Sequence, residues 1–285
     1  MPELPEVETI RRQLAPHLEG RTILEVQILD PRWTRPESPR KVELVLRGRQ
    51  VEKVNRSGKY LVWELSGDVY LLVHLRMTGA LLFDPPEEPA HTRVRFALDG
   101  GHRLVYVDPR RFGTGHVLSG GAARDAYLKE RIGIEPLTPE FTLDHLRSLA
   151  RGRRAPVKSF ILDQRRIAGV GNIYADEALY RARLHPLSPA GSMKPEHWEA
   201  LRDGVVAALE AGIDAGGSSI DDYRDGRGEK GQMQERFLVH TREGRPCPGE
   251  DCDGVVERIV VSGRSTYFCP SCQVKLRKRP KRRKR

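Results

Sequence analysis

The sequence lacks a long apolar run, and its first residues lack the basic and apolar regions of a secretion signal. A membrane-spanning helix needs about 20 mainly apolar residues, so we predict a soluble, cytoplasmic protein. Cysteine is absent outside one short segment, and no internal repeat is visible. The length of 285 residues is enough for two domains.

Positive charge is concentrated at one end of the chain. The net charge is +10, but nine of the 49 basic residues lie in 275–285, and the other 40 are balanced by 39 acidic residues. A DNA-binding face on the body must therefore come from segregation of charges. We predict that the tail, residues 273–285, is disordered. It serves either for solubility or, as we favour, to attract phosphates, which would steepen the salt dependence of binding.

The first part of the chain has the pattern of a β-rich domain. Helical spacing of Val7, Ile10 and Leu14 predicts one helix near the start. Short apolar segments separated by turn residues then predict a β-sandwich or barrel. These segments are 23–28, 42–46, 51–54, 60–63, 69–75, 94–98 and 104–107, with a hairpin signal at 99–101.

The pattern changes after about Arg131. Residues 143–151, 157–164, 172–183 and 196–211 have helical periodicity, which predicts a mainly helical second domain. We therefore predict an α+β protein. Its parts are an N-terminal domain (1–131), a helical domain (132–236), a zinc finger (237–272) and the basic tail (273–285).

The first residues, MPELPEVET, place Pro2 behind the initiator methionine and Glu3 behind that. If Met1 is removed, Pro2 becomes a secondary amine with a pKa low enough for nucleophilic attack near neutral pH. Such an amine and a sugar aldehyde carbon form an iminium cation, which promotes elimination. The same residues also suit the start of a helix. On spacing alone both interpretations stay open.

All four cysteines lie in one segment, as Cys247-x4-Cys252 and Cys269-x2-Cys272. Four thiolates from two such turns suit one tetrahedral Zn²⁺ with no open position, which is a structural site. Two disulfides are the alternative, but the absence of a secretion signal favours zinc. The residues between the pairs predict a β-hairpin with Arg264 at its tip. Metal binding would supply the folding energy of this ribbon.

Residues 169–172, Gly-Val-Gly-Asn, form a glycine-rich turn between two predicted helices. The glycines allow close approach of a ligand, Asn172 can cap the next helix, and amides at that helix start suit a phosphate. Glycine turns are also common for purely structural reasons. Beside a hairpin with Arg264 at its tip, the turn predicts a two-point clamp on a nucleic-acid backbone.

Several motifs together resemble the formamidopyrimidine-DNA glycosylase family. They are MPELPEVET (1–9), KYL (59–61), HLRMTG (74–79), DPRRFG (108–113), GVGNIYADE (169–177) and the four-cysteine ribbon. The resemblance implies a bifunctional DNA glycosylase and AP lyase of base excision repair that removes 8-oxoguanine and formamidopyrimidines. It also implies a helix-two-turn-helix fold for the helical domain, one structural Zn²⁺, damaged duplex DNA as partner and a monomer.

Residue roles follow from the same resemblance. Pro2 is the expected nucleophile at C1′, Glu3 the proton donor during base loss, and Lys59 the proton donor in β-elimination. Arg264 is expected to act in δ-elimination and phosphate contact. An enzyme acting on a base must take it out of the duplex and fill the space. The expected void-filling residues are Met77, Arg110 and Phe112, and the expected contacts with phosphates or the lesion strand are His91, Arg110, Arg153, Lys158 and Asn172.

Three features depart from the family pattern. The first cysteine pair is separated by four residues instead of two, Arg76 replaces a usual glycine, and loop 228–234 lacks a usual aromatic. Because that loop helps to cover the flipped base in the family, lesion preference is less well determined than reaction type. The rival hypotheses are an endonuclease VIII-like glycosylase for oxidised pyrimidines and a non-catalytic zinc-ribbon DNA-binding protein.

Overall fold

The structure, a computed structural model, describes residues 1–219 and 223–276. The chain divides into two compact units. The first contains Met1–Arg131 and Gly212–Gln234, and the second contains Ile132–Ala211 and the residues from Glu235 on. Among the described residues, no helix has the length and apolar character needed to cross a membrane. Most of the predicted tail, 277–285, lies outside the described residues.

The first unit is a β-sandwich with helices, which confirms the prediction. Its strands form two antiparallel four-stranded sheets, in the orders β1-β6-β7-β5 and β2-β3-β4-β8. The elements are α1 (Leu4–Leu18), β1 (Ile23–Ile28), α2 (Pro39–Leu46), β2 (Val51–Ser57), β3 (Tyr60–Leu65), β4 (Val69–His74), β5 (Ala80–Phe83), β6 (Thr92–Leu98), β7 (Arg103–Val107), β8 (Thr114–Ser119) and α3 (Gly121–Arg131).

Aromatic rings join the two sheets in the core. Trp63 on β3 lies 5.5 Å from Phe96 on β6, measured between ring centroids, and Trp33 lies 5.8 Å from Tyr106 on β7. Alternate residues of β6 are buried, as expected for a strand with one face on the core. The hairpin predicted at 99–101 joins β6 to β7.

The prediction of a strand at 42–46 is wrong, because these residues form helix α2. The alternation of apolar residues is misleading here, since Val42 and Leu46 are buried while Leu44 is 55% exposed. Residues four apart share one face of a helix. The start signal lies just before them, where Ser38 Oγ accepts a hydrogen bond from Lys41 N at 3.3 Å and Pro39 follows as the first helical residue.

The second unit is mainly helical and ends in a zinc-ribbon hairpin, as predicted. Strands β9 and β10 pair antiparallel, with Val261 opposite Arg264 across a two-residue turn. Both turn residues, Ser262 and Gly263, have positive φ, as in the tight turns that suit the twist of a hairpin. The elements are α4 (Leu143–Ala150), α5 (Val157–Ile161), α6 (Asn172–Arg181), α7 (Pro195–Asp214, of which 195–211 belong to this unit), β9 (Glu257–Val261) and β10 (Arg264–Phe268).

Residues 212–234 belong to the first unit, whereas the sequence pattern placed them in the helical domain. Their packing on α1 explains the difference. Gln13 Nε2 donates to Asp225 Oδ2 at 2.6 Å, and Gly226 N donates to Gln13 Oε1 at 2.8 Å. A segment that packs on α1 through contacts 213 residues away in sequence leaves no local signal of its position.

Candidate active site and nucleic-acid interface

Pro2 and Glu3 precede α1 and are both buried, while Met1 is exposed. Glu3 is the N-cap residue, and its backbone N–H donates to Glu6 Oε2 at 2.8 Å. The other oxygen of Glu6 accepts a hydrogen bond from Ser218 N at 2.7 Å. One buried carboxylate therefore holds both the start of the chain and the loop after α7. The prediction of a helix near the start of the chain is confirmed.

Lys59 lies in the two-residue turn between β2 and β3, and it is only 4% exposed. Arg56, on β2, forms hydrogen bonds both to this turn and to α1. Its Nη1 donates to Gly58 O at 2.9 Å, and its Nε donates to Glu8 Oε2 at 3.2 Å. The guanidinium therefore ties the turn that carries Lys59 to the first turns of α1, whose N-terminus carries Glu3.

The Glu8 carboxylate forms ion pairs with three arginines, Arg11, Arg12 and Arg56. Burial alone would raise the pKa of Glu8, but hydrogen bonds from Arg11 and Arg12 and the nearby charge of Arg56 hold this pKa below its usual value. Glu8 is therefore ionised at neutral pH and serves as an anchor for Arg56. The sequence motif includes Glu8 but gives no sign of this role.

Asp108 organises the loops that carry the predicted void-filling residues. It is 1% exposed. Its Oδ1 accepts hydrogen bonds from Thr78 Oγ1 at 2.5 Å and from Arg110 N at 3.2 Å, and its Oδ2 accepts one from Gly113 N at 2.8 Å. Its backbone N–H donates to His91 O at 3.1 Å. One residue thus joins the β4–β5, β5–β6 and β7–β8 loops.

Met77, Arg110 and Phe112, which we call the wedge residues, lie on these loops. Met77 is 37% and Phe112 is 53% exposed, and Arg110 is also exposed. The Arg110 guanidinium lies over the Phe112 ring, 5.0 Å from its centroid. Met77 and Phe112 are therefore not core residues, although methionine and phenylalanine in β-rich segments usually are. The structure brings the three residues and His91 to one set of loops.

His74 and Arg76 shape the turn before Met77. Arg76 N donates to His74 Nδ1 at 3.0 Å, and Arg76 has φ of 56°. Burial, together with the charges of Arg76, Lys59 and His116, lowers the pKa of His74 to about 3. Its imidazole is therefore neutral at neutral pH and accepts the Arg76 hydrogen bond. The left-handed backbone explains why glycine suits this position.

The four cysteines fit one zinc ion. Their sulfur atoms all lie within 4.8 Å of one another, with Cys247 Sγ 3.6 Å from Cys272 Sγ and Cys252 Sγ 3.7 Å from Cys269 Sγ. Four thiolates bound tetrahedrally at about 2.3 Å from Zn²⁺ lie about 3.8 Å apart. These separations do not fit disulfides, and the thiols are free. Tyr180 OH lies 3.3 Å from Cys247 Sγ and supports this ligand from α6.

Asn172 does not cap α6, contrary to the prediction. Gly171 is the N-cap residue, and Asn172 is the first residue of the helix. Its Nδ2 donates to Ser265 O on β10 at 2.9 Å. The side chain therefore connects the glycine-rich turn to the zinc hairpin, next to Arg264, which is exposed at the hairpin tip.

The sequence predicts that Lys158 contacts a phosphate or the lesion strand, but the structure places it away from solvent. Its side chain has no exposed surface, and its Nζ lies 2.7 Å from Asp176 Oδ1. The predicted contact Arg153 is exposed in the connection between α4 and α5, where its carbonyl accepts a hydrogen bond from Gly191 N at 2.9 Å. Arg153, Asn172 and Arg264 all belong to the second unit.

Comparison with known proteins agrees with this arrangement. The family model of the formamidopyrimidine-DNA glycosylase N-terminal domain matches residues 1–115, and that of the H2TH domain of the same enzyme matches residues 132–224. A zinc finger found in FPG and IleRS matches residues 244–274. The three matches follow the order of the β-sandwich, the helices and the ribbon.

Relatives cover nearly the whole chain. The formamidopyrimidine-DNA glycosylase of Chloroflexus aurantiacus is 47% identical over 279 residues, covering 96% of this chain and 98% of that protein. The structure is similar to MutM (Fpg) of Thermus thermophilus, with a TM-score of 0.85 and 42% identity over 97% of this chain and all of that one. It is also similar to a Lactococcus lactis Fpg variant in complex with DNA containing Fapy-dG, with a TM-score of 0.87 and 34% identity over 96% of this chain and all of that one.

The sandwich with its wedge residues, the helical unit and the four-cysteine ribbon define a DNA glycosylase. The chain belongs to the formamidopyrimidine-DNA glycosylase family. Sequence reasoning missed Asp108, Glu6, Asp176 and Thr266 as supporting residues. The three carboxylates lie inside the motifs named above, but nothing in the sequence indicates that they are buried.

Proposed function

We propose that this chain excises oxidised purines, 8-oxoguanine and formamidopyrimidines, from duplex DNA and then cleaves the strand at the abasic site. The observation that carries the proposal is the wedge: two exposed apolar side chains and a guanidinium on loops joined by Asp108. An enzyme that flips a base out of the duplex must fill the space left behind. Met77 and Phe112 have the apolar bulk for this, and Arg110 has the donors to bond the widowed base.

Base removal is assigned to Pro2 and Glu3. While Met1 is present, Pro2 N is part of a peptide bond, so the reaction requires removal of Met1. The freed amine attacks C1′ of the damaged nucleotide, and the C1′–N bond to the base breaks with its electron pair going to the base. Glu3 donates a proton during base loss and opening of the sugar ring. The product is an iminium between Pro2 and C1′.

Strand cleavage follows from the iminium. Loss of a proton from C2′ sends electrons toward the iminium and expels the 3′ phosphate, which is β-elimination, and Lys59 is the proton donor of this step. A second elimination then expels the 5′ phosphate, with Arg264 contacting the phosphate. Water hydrolyses the iminium and frees Pro2. The result is a one-nucleoside gap with a phosphate at each end.

Three predictions about context belong to the same proposal. We expect the protein to act as a monomer and in the cytoplasm, associated with the nucleoid through DNA. The ribbon cysteines would hold one Zn²⁺, whose role is to stabilise the hairpin that carries Arg264. His91, Arg153 and Asn172 are proposed contacts with phosphates or the lesion strand. We leave Lys158 out of this set because its side chain is buried and paired with Asp176.

Borohydride trapping on a duplex with 8-oxoguanine opposite cytosine tests the proposal. Reduction should fix the iminium as a stable crosslink, and peptide mapping should place it on Pro2. A tag left before Pro2 should abolish trapping while binding to the damaged duplex remains, and Pro2→Gly, which replaces the secondary amine with a primary one, should weaken trapping. An undamaged duplex is the control for lesion recognition. Efficient trapping only on an oxidised pyrimidine would support the endonuclease VIII-like alternative, and no trapping on either duplex would support a non-catalytic binding protein.

A further inference from the structure

The second unit contains a buried ion pair that the proposed chemistry does not use. The side chains of Lys158 on α5 and Asp176 on α6 both have no exposed surface. Burying two charges carries a large desolvation penalty, and a well-packed apolar pair of similar volume often stabilises a protein as well or better. Lys158 and Asp176 therefore need an explanation beyond stability.

The ion pair continues as hydrogen bonds to the backbone of Arg264. Lys158 Nζ donates to Thr266 Oγ1 at 2.8 Å, and Thr266 Oγ1 donates to Arg264 O at 3.1 Å. Lys158 Nζ also lies 3.2 Å from Ser265 O. A continuous polar connection thus runs from Asp176, through Lys158 and Thr266, to the first residue of β10.

Other contacts fix the same hairpin tip. Ser159 Oγ on α5 lies 2.8 Å from Ser262 Oγ in the turn, and Asn172 Nδ2 donates to Ser265 O. A two-stranded hairpin is only marginally stable alone. The position of its tip therefore depends on what the helices provide. The helices hold the tip through three side chains. Lys158 and Ser159 lie next to each other on α5, and Asn172 is the first residue of α6.

Asp176 is fixed from its other side as well. Its Oδ2 lies 2.8 Å from His240 Nδ1, and the His240 ring packs edge-on against Tyr267 of β10 at 5.1 Å. The neighbouring Glu177 accepts hydrogen bonds from the backbone N–H groups of 238–240. Asp176 therefore has little freedom to move, and it transmits a fixed position to Lys158.

We propose that Lys158, paired with Asp176, is a positioning residue that holds Arg264 in place through Thr266. This inference rests on the proposed function, in which Arg264 contacts the phosphate that leaves in δ-elimination. The network acts on the backbone of Arg264 and not on Pro2 or Lys59. Disturbing it should therefore affect the second elimination more than Schiff-base formation.

Thr266→Val tests this connection without leaving a buried charge unpaired. Valine has nearly the shape of threonine but lacks the hydroxyl that joins Lys158 to Arg264. The substrate is a duplex with a preformed abasic site, and a gel separates the β-elimination product from the β,δ product. Because one hydrogen bond is removed, we expect the ratio of β to β,δ product to rise by about three- to tenfold. Borohydride trapping on an 8-oxoguanine duplex should stay within about twofold of the wild type.

Three variants complete the design. Thr266→Ser keeps the hydroxyl and should restore the wild-type product ratio. Thr34→Val removes another buried hydroxyl, one that bonds Glu37 O at 3.0 Å in the first unit, and it should leave the ratio unchanged. Arg264→Ala removes the phosphate contact itself, so it gives the largest change in product ratio that loss of Arg264 function can cause. A Thr266→Val ratio equal to wild type, or a Thr34→Val shift of the same size, would overturn the positioning role.

The proposed function and this inference fail in different ways. If the wild type forms no Schiff base, the proposed reaction is wrong. If the Schiff base forms but Arg264→Ala leaves the product ratio unchanged, Arg264 has no part in δ-elimination and the positioning role falls with it. If Arg264→Ala shifts the ratio and Thr266→Val does not, only the positioning role is overturned.

Discussion

The wedge loops of the first unit and the hairpin tip of the second both present exposed side chains supported by one buried carboxylate, but the two carboxylates have different partners. Asp108 is bound by neutral donors, since it accepts from two backbone N–H groups and a threonine hydroxyl. Asp176 faces a lysine and a histidine. Most of the Asp108 donors belong to the loops they fix, and Tyr106 OH on β7 adds a further neutral donor at 3.3 Å. Lys158 lies on another helix and His240 lies 64 residues from Asp176, so the hairpin depends on segments outside itself.

Zinc removal should have the largest effect and should separate the two regions. Without the metal, the four thiolates of 247–272 lose the ion that holds them together. Structural Zn²⁺ contributes about 10–16 kcal/mol to the folding of zinc-finger peptides. We expect affinity for a duplex with a stable abasic analogue to fall about 100-fold or more, while the sandwich stays folded. Chelation, zinc analysis and circular dichroism check this. Zinc-free protein that binds DNA normally would contradict it, and Cys269→Ser should behave like chelated wild type.

Lys158→Met should strongly destabilise the second unit. It removes the lysine charge from the buried Asp176, which still faces His240, and breaking a buried ion pair costs about 3–5 kcal/mol. Urea unfolding measures this loss. Lys158→Met/Asp176→Leu should regain part of the stability but not the β,δ product ratio. Full recovery of both would show that the pair has no role beyond stability.

Asp108→Asn should cost less, because its partners are neutral donors. The amide NH₂ would face an N–H or O–H donor, and we expect a loss of about 1–3 kcal/mol. Loss of loop order should also slow excision of 8-oxoguanine from duplex about tenfold, with less effect on a preformed abasic site, which needs no base removal. Single-turnover assays on both substrates measure the difference. Asp99→Asn, at an exposed hairpin, is the control, and equal slowing on both substrates would exclude a role in base flipping.

The exposed residues of both regions were predictable from the sequence, but the buried residues that hold them in place were not. The Cys247-x4-Cys252 and Cys269-x2-Cys272 spacing predicts a metal site because the ligands are local. Lys158 is different, since it donates to Thr266, 108 residues away, and no motif spacing connects these two residues. A lysine near helices and a zinc ribbon therefore has the same sequence signal whether it contacts DNA or is buried.

Local sequence patterns also limit how much of the fold can be predicted. The residues Val42, Leu44 and Leu46 fit a strand by alternation and a helix by the spacing of Val42 and Leu46. Only the signal of Ser38 and Pro39 decides between them. The position of 212–234 depends on contacts of Glu6 and Gln13 with residues 212 positions later, which no periodicity records.

His74 should make the first unit sensitive to acid. Its folded pKa of about 3 lies below its ordinary value of 6.5, mainly because of burial. Between these values the unfolded state binds more protons, so stability is complete above about pH 6.5 and falls as the pH drops toward 3, by up to about 1.4 kcal/mol per pH unit. His74→Asn keeps an acceptor for Arg76 N but does not titrate there. Urea unfolding from about pH 4.5 to 7 should give a flatter profile for this variant, and parallel profiles would contradict the assignment.

Arg76→Gly should have the smallest effect and concerns the turn that carries Met77. A left-handed conformation costs a non-glycine residue about 1 kcal/mol or more, and glycine avoids this cost. Glycine also has more freedom in the unfolded chain, which removes about 0.4–1 kcal/mol, so the net gain in stability should lie between zero and about 1 kcal/mol. Arg47→Gly is the matched control, because Arg47 is exposed with φ of −61° and should lose stability. If both glycine variants lose the same free energy of unfolding, the strain at Arg76 is not real, and the departure from glycine in this chain is neutral for the wedge.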